Sequence, residues 1–266
     1  MITMDDKYRF EDFGFDCEPG NEDPINPDFE HKTLKIPGRP GLWNFGSEIK
    51  EKVFGYNLKI MDRFYEDRQR RFNELVAFLF DDYGQPREIK VVRDYETDKH
   101  YIAKLNQSLN PTWDVEEGSL TIVFVAEDSY KKMNVENHEI HWNSETAFYT
   151  DSFNMNSTFV DDELITAPTT LETTVHGLAI RPDILIHGSG TNVEISVNGK
   201  SFKLKDFTNA SFLLRGLDYT CFKNGVENLT EMIGDHPTLL PGNNQIQITG
   251  TNMNFKLSIR LRDQFN

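Results

Sequence analysis

The sequence predicts a mainly β protein with an α+β N-terminal domain and a C-terminal β-sandwich. Three observations support this fold class. Phe255, Leu257, Ile259 and Leu261 alternate with polar residues near the C-terminal end, as in a strand with one buried face. From about Thr173 onward, many short strands recur with turns between them, which is typical of a sandwich. A single segment of the chain has clear helical periodicity.

The N-terminal part contains that helix, predicted over residues 66–81. Its apolar stripe has the spacing i, i+3, i+4 and i+7, and it is followed by the helix-ending residues Gly84 and Pro86. The stripe consists of Phe72, Leu75, Val76 and Leu79. A strand is predicted before the helix, where residues 54–60 alternate. Further strands are predicted at EIKVVR, YIAKL and SLTIVFVA.

The charges of the predicted helix run against its dipole. Basic residues lie early and Asp81 and Asp82 lie at its end. The basic residues are Arg68, Arg70 and Arg71. We therefore expect these charges to interact with groups outside the helix.

A polar stretch over residues 127–170 is interpreted as a connector, so we predict two domains, 1–130 and 131–266. In the second domain, Asn198-Gly199 follows an alternating strand and predicts a tight hairpin, and Asn224-Gly225 predicts another. Near the end, a turn at residues 241–244 precedes two predicted strands, IQITG and NFKLSIRLR.

Composition and charge exclude several classes of protein. The net charge of -15 argues against a nucleic-acid binder, and residues 1–30 hold ten acidic groups against two basic ones. No apolar run is long enough to span a membrane, and the first residues lack the apolar core of a signal peptide. Cys17 and Cys221 are interpreted as reduced thiols in a cytoplasmic setting, although one disulfide between them is an open alternative.

The order of these segments resembles the distal tail proteins of siphovirus-type bacteriophages, also called the Dit family or tail-tip hub. The resemblance depends on the PGRPGLWNFG turn, the RRFNELVAFLFDDYG helix, the EIKVVRDYETDKHYIAKL hairpin, the GSGTNVEISVNG hairpin and the LLPGNNQIQITG ending. It covers nearly the whole chain. It implies a ring-forming N-terminal domain with one helix, followed by a galectin-like β-sandwich.

The resemblance also implies a function and partners. Such a protein is a non-enzymatic virion component of the tail tip, assembled in the cytoplasm of the host bacterium. Its partners are further copies of itself in a ring, usually hexameric, the tail tube protein, the tail-tip fibre or tail-associated protein, and in some relatives a receptor-binding protein. DNA passes through the ring without direct affinity for the protein, and no membrane is involved.

Within this frame, the turn at residues 37–43 and the residues that follow it provide the candidate interface residues Arg39, Trp43 and Phe45. Two Pro-Gly steps, with two prolines and two glycines at residues 37–41, fix an unusual backbone path there, and aromatic and arginine side chains are enriched at interface centres. If Trp43 were a core residue instead, its loss would destabilise the monomer. The acidic start of the chain is expected either to line the ring channel or to form a solvated outer surface.

The sequence contains no catalytic, cofactor or metal motif, so we predict no enzyme activity and no cofactor. His138 and His141 have a three-residue spacing, but HEIH is not the HExxH motif of zinc hydrolases. Cys221 and His236 lie in no nucleophile turn. The alternative function is a carbohydrate-binding module for host cell-wall glycans. Residues 143–266 contain no Trp, and Tyr219 and Phe222, which could stack on a sugar, are expected to pack in the core.

Overall fold

The computed structural model describes residues 1–140 and 157–266. The chain divides into two compact units. Unit 1 comprises Met1–Lys131 with Asn266, and unit 2 comprises Lys132–Phe265. Most described residues lie in strands, so the mainly β fold class is confirmed. No helix among the described residues is long and apolar enough to cross a membrane.

Unit 1 contains the first nine strands and the α-helix. Their bounds are β1 Ile2–Met4, β2 Asp16–Cys17, β3 Phe29–Leu34, β4 Trp43–Ile49, β5 Lys52–Met61, α1 Tyr65–Leu79, β6 Ile89–Arg93, β7 Glu96–Leu105, β8 Thr112–Trp113 and β9 Glu117–Ala126. The main sheet has the order β1-β6-β7-β9-β5-β2, and β8 pairs with β9. Strands β3 and β4 form a separate two-stranded sheet.

The core of unit 1 lies between this sheet and helix α1. Phe72, Leu75 and Leu79 of the predicted stripe are buried, whereas Val76 is 38% exposed. They pack with alternate residues of the central strands β5 and β9, namely Phe54, Tyr56, Leu58, Ile60, Leu120, Ile122 and Phe124. The apolar faces that the strand and helix periodicities predict therefore pack together in one core.

The basic start of helix α1 finds its partners inside unit 1. Arg68 is 4% exposed, and its guanidinium donates hydrogen bonds to the carbonyls of Asp114 (2.9 Å), Val115 (3.4 Å) and Glu117 (2.7 Å). Arg70 pairs with Asp67 at 3.0 Å within the helix. As expected, Arg68 interacts with groups outside the helix. These groups belong to the same chain and not to another molecule.

Unit 2 contains most of the remaining strands, and β10 lies at the boundary. Their bounds are β10 Lys131–Met133, β11 Glu163–Ile165, β12 Thr169–Val175, β13 Asp183–Val197, β14 Lys200–Leu204, β15 Phe207–Arg215, β16 Thr220–Lys223, β17 Val226–Glu227, β18 Met232–Gly234, β19 Gly242–Arg260 and β20 Gln264–Phe265. Three short 3-10 helices, at Phe10–Phe13, Asn137–Glu139 and Leu229–Glu231, complete the described elements of the chain.

Two long strands, β13 and β19, organise unit 2. The first part of β13 pairs with β15 and with residues 254–260 of β19, and its last part pairs with β14 and with residues 247–249 of β19. Register shifts near Gly188–Thr191 separate the two parts, and bulges of this kind bend strands. The bend leaves so little room that a Cβ on Gly188 would lie 2.3 Å from the Asn254 carbonyl oxygen.

The C-terminal region corrects one detail of the prediction. IQITG and NFKLSIRLR are a single strand, β19, rather than two. The alternation itself is correct, because Ile246, Ile248, Phe255, Leu257 and Ile259 are all buried. Part of the predicted polar connector also belongs to the fold: β11 pairs with β19, and Val160 and Ile165 join the core of unit 2. Residues 141–156 of that connector lie outside the described residues.

Candidate functional site

The most unusual surface of unit 1 is the exposed hairpin, residues 29–49, formed by β3, β4 and the turn between them. Every residue from 28 to 51 is exposed. Seven large apolar side chains are each at least 40% exposed: Phe29, Leu34, Ile36, Leu42, Trp43, Phe45 and Ile49. Among the described residues, β3 and β4 pair only with each other. An isolated two-stranded hairpin is marginally stable in water, and clustered exposed apolar groups mark interaction sites.

The three candidate interface residues lie on this hairpin. Arg39 is in the turn, and its guanidinium carbon is 4.4 Å from the centre of the Trp43 ring. Trp43 is 46% and Phe45 66% exposed, so neither is a core residue of the isolated chain. The predicted backbone path is present, because Gly38 and Gly41 have φ of 82° and 84°, where residues with a side chain are disfavoured.

This surface extends beyond what the sequence predicts. The turn is predicted, but the strands on either side of it are not. Leu34 pairs with Trp43 across the hairpin, and Phe29 pairs with Ile49 near its base. The signal was available, since Trp43, Phe45 and Ile49 have the even spacing of a strand face.

The two ends of the hairpin are joined at its base, which also contacts the rest of unit 1. The Lys50 amide donates to the Asp28 carbonyl at 2.8 Å, and the Lys50 ammonium pairs with Glu30 at 2.9 Å. The Ser129 hydroxyl donates to the Lys50 carbonyl. The exposed tip therefore belongs to a hairpin whose base contacts the rest of unit 1.

A buried cation fixes the segment that leads into the hairpin. Lys52 is fully buried, and its ammonium donates to the Ile25 carbonyl and the Tyr101 hydroxyl, both at 3.0 Å. Burial, reinforced by the nearby Arg93 charge, lowers the pKa of Lys52 to about 8. Arg93, itself 6% exposed, forms an ion pair with Asp23 of the same segment.

Half of the acidic residues at the start of the chain are paired within unit 1. Five of these ten acidic residues form ion pairs, namely Asp5 with Arg87, Asp6 with Lys90, Glu18 with Lys59, Asp23 with Arg93 and Glu30 with Lys50. This segment therefore carries less unpaired negative charge than the sequence suggests.

The described residues contain no arrangement suited to catalysis or metal binding. They include no group of three or more His, Cys, Asp or Glu that could hold a metal ion. His138 lies 3.3 Å from Glu136, and His141 lies outside the described residues. Both cysteines are free, and burial raises the pKa of the Cys221 thiol, which disfavours the nucleophilic thiolate.

The two aromatic residues considered for sugar stacking differ from expectation. Tyr219 is 49% exposed rather than packed in the core, and it has a left-handed φ of 55°. The guanidinium carbon of Arg181 lies 4.7 Å from its ring centre. Phe222 is half-buried and lines a shallow cleft of about 410 Å³ with Leu185 and Arg215.

Comparison with known proteins shows which of them this chain resembles. Residues 8–126 match the family model described as the phage tail protein RIFT-related domain. A search of the curated proteins found no match. Among solved structures, the SPP1 Dit protein, described as a paradigm of the hub adsorption apparatus in Gram-positive infecting phages, aligns over 100% of both chains. Its TM-score is 0.70 at 15% identity.

Two structures of the phage p2 baseplate in its activated conformation, with Sr and with Ca, are more distant. Each aligns with 97% of this chain and 94% of its own at 10% identity, with TM-scores of 0.39 and 0.38.

The family match covers residues 8–126 and shows that this part of the chain is similar to the RIFT-related domain of phage tail proteins. The structural match over the full length shows that the chain has the fold of a distal tail protein. The resemblance to the siphovirus distal tail proteins inferred from the sequence is thereby confirmed.

Proposed function

We propose that this protein is a non-enzymatic hub of a siphovirus tail tip. Its copies form a closed ring, hexameric by analogy with the distal tail proteins, between the tail tube and the tip fibre or baseplate. The observation that supports this most is the exposed hairpin, whose seven apolar side chains are left uncovered by the described residues. The protein would act in the virion after assembly in the host cytoplasm.

The hairpin is compatible with a ring. An arm that binds a different surface of the next subunit makes a heterologous contact when the same neighbour does not return it, and such contacts can close into rings. Strands of six and seven residues span roughly 20 Å, which is enough to reach a neighbour. A stable contact would bury on the order of 1,000 Å² or more in total.

The tail tube protein, the tip fibre and a receptor-binding protein are the proposed partners at the two rims and the periphery. DNA would pass through the ring without adhering, because the net charge of -15 repels it. Since half of the acids in residues 1–30 are paired within unit 1, the overall charge is a better basis for this repulsion than that segment alone.

The test is the mass of the full chain in solution. Light scattering after gel filtration should give a multiple of the 30.8 kDa chain, and negative-stain images should show rings. Trp43→Ser with Phe45→Ser should shift the mass to the monomer. Tyr83→Ser is the matched control, because Tyr83 is an aromatic residue of unit 1 that is 90% exposed but lies outside the hairpin.

A wild-type chain that is monomeric at all accessible concentrations would contradict the proposal. A second measurement assigns the ring to one half of the chain. A fragment of residues 1–130 should still assemble, and one of residues 136–266 should be a folded monomer. The reverse result would exchange the roles of hub and appendage.

Glycan recognition by unit 2 is the second candidate function, and one observation favours it. Tyr219 presents a half-exposed ring in a strained left-handed conformation beside Arg181, and such strain often accompanies binding sites. A cell-wall glycan array with the full chain, and with Tyr219→Ala as its control, tests this function. Binding that Tyr219→Ala removes would support it, and a blank array would leave the hub as the proposed function.

A further inference from the structure

We infer that the exposed hairpin of one copy docks on an acidic apolar patch at one end of unit 1 in the next copy. The inference rests on the proposed ring and names its acceptor surface. The acidic apolar patch is defined by four exposed apolar residues, Met61, Phe64, Tyr65 and Val115, and by the acidic residues among them in residues 61–67 and 113–117.

Two chain segments meet to build this patch. One runs from the end of β5 into the start of α1, and the other is the turn between β8 and β9. Met61 pairs with Glu117, and the Asp62 amide donates to the Glu116 carbonyl at 3.2 Å. The Tyr65 and Trp113 rings lie 5.5 Å apart. The two segments thus form one continuous surface.

Buried Arg68 makes the patch rigid. Its three carbonyl acceptors all belong to the turn at residues 114–117, while its own amide donates to the Phe64 carbonyl at 3.1 Å. The guanidinium also lies 5.4 Å from the Trp113 ring centre. A surface held in this way loses little conformational entropy on binding, which favours affinity.

The patch is apolar enough to need a partner. Val115 is 82%, Met61 71%, Phe64 65% and Tyr65 58% exposed. These are large side chains on adjacent turns, with core packing directly beneath them through Trp113 and Phe72. Apolar residues grouped inside a polar rim are the composition of interaction sites.

The charges of the two surfaces are complementary. Residues 31–47 of the hairpin contain three basic residues and no acidic one. Lys32 pairs with Glu48 beside it, so Lys35 and Arg39 near the turn provide the hairpin's excess charge. The patch segments contain six acidic residues and one basic one, and Glu66 and Glu116 have no ion-pair partner among the described residues. Opposite charge selects this surface over other apolar surfaces.

A second copy is therefore the occupant that fits best. Donor and acceptor lie on the same unit, and the hairpin side chains are exposed in the single chain, so they do not occupy their own patch. Each copy can give its hairpin to one neighbour and receive a hairpin from another. This head-to-tail use of two different surfaces is what a ring requires.

Charge exchange gives a stringent test. In variant A, Lys35→Glu and Arg39→Glu place acid opposite acid, and in variant B, Asp114→Lys and Glu116→Lys place base opposite base. Each variant alone should assemble at least about tenfold more weakly than wild type, measured by light scattering across a concentration series. An equimolar mixture should recover assembly, because each kind of interface between A and B joins opposite charges.

Cross-linking locates the contact directly. Leu42→Cys with Val115→Cys, in a Cys17→Ser background, should give a ladder of covalent multimers with a short bismaleimide. Leu42→Cys with Tyr83→Cys is the matched control, and neither single variant should give more than dimers.

The outcomes separate this inference from the proposed function. If variant A loses assembly while variant B assembles normally, the ring stands but its acceptor is elsewhere, and the inference is overturned. Failure of the A and B mixture to recover, together with no Leu42–Val115 ladder, overturns it as well. A monomeric wild-type chain overturns both proposals.

Discussion

Two hairpins of this protein have similar sequence patterns and opposite environments. In the β13–β14 hairpin, Asn198 and Gly199 form a tight turn with φ of 50° and 77°, and Ile195, Val197 and Phe202 are at most 4% exposed. The exposed hairpin has an eight-residue turn and no buried side chain. Both alternate apolar and polar residues. The difference shows that alternation predicts an apolar face but does not say which molecule covers it.

The largest expected effect tests this contrast directly. Phe202→Ala should lower the free energy of unfolding of unit 2 by about 3–5 kcal/mol, because it leaves a cavity in a closed core. Phe45→Ala should change the monomer's stability by no more than about 0.5 kcal/mol, because its ring is already in water. Urea denaturation at monomeric concentrations measures both. A large loss for Phe45→Ala would mean that the hairpin is part of the core.

The second prediction concerns the support of the acidic apolar patch. Arg68→Met should destabilise unit 1 by about 1–3 kcal/mol, because it removes the hydrogen bonds from the buried guanidinium to the carbonyls of the 114–117 turn. Arg70→Met is the matched control on the exposed side of the same helix and should cost no more than about 0.5 kcal/mol. Thermal unfolding compares the two. Equal losses would show that Arg68 is not what fixes the 114–117 turn.

A third prediction uses the pH dependence of the buried Lys52. Its folded pKa of about 8 lies below its ordinary value of 10.5, so the unfolded chain binds more protons between these values. The stability of unit 1 should therefore rise with pH from about 8 to 9.5, at no more than about 1.4 kcal/mol per pH unit. The groups that act on Lys52 are Arg93, Asp23, Lys131 and Glu96.

The control for this prediction is Lys52→Met, which should abolish the rise in denaturation midpoints across the same pH series. Keeping the series below pH 10 avoids the ordinary tyrosine titration. A slope that survives in Lys52→Met would assign the effect to another group.

The last prediction is that the protein does not bind duplex DNA. The basic excess on the exposed hairpin could in principle serve nucleic acid rather than a second copy. With a net charge of -15, the protein should not retain duplex DNA in a gel shift at about 50 mM salt. Tight retention that Lys35→Glu and Arg39→Glu remove would make the hairpin a DNA-binding arm.

The elements predicted from sequence are those whose local pattern and final environment agree. Helix α1 spans Tyr65–Leu79 against a predicted 66–81, since its stripe faces the sheet of its own unit. The Asn198-Gly199 and Asn224-Gly225 turns also occur as predicted, because only such residues tolerate two successive positive φ values.

The sequence was less informative where distant segments decide the outcome. Arg68 looked like a misplaced surface charge, because its three carbonyl acceptors lie more than forty residues away in the chain. Tyr219 looked like a core residue, because strand spacing alone does not reveal a left-handed turn. The even spacing of Trp43, Phe45 and Ile49 did indicate a strand face, but a pattern cannot show that this face stays exposed in the folded chain.

The long strands of unit 2 have a consequence for the order in which the protein forms. Strand β13 pairs along most of its length with β19, and both run through the two parts of the sandwich. Neither part can close before residues 242–260 have been synthesised, so the strands made earlier must wait with their apolar faces uncovered. Pairing across such a sequence separation is slow. During synthesis in a crowded cell, unit 2 would therefore be the half most dependent on chaperones, although it contains the two longest described strands, β13 and β19.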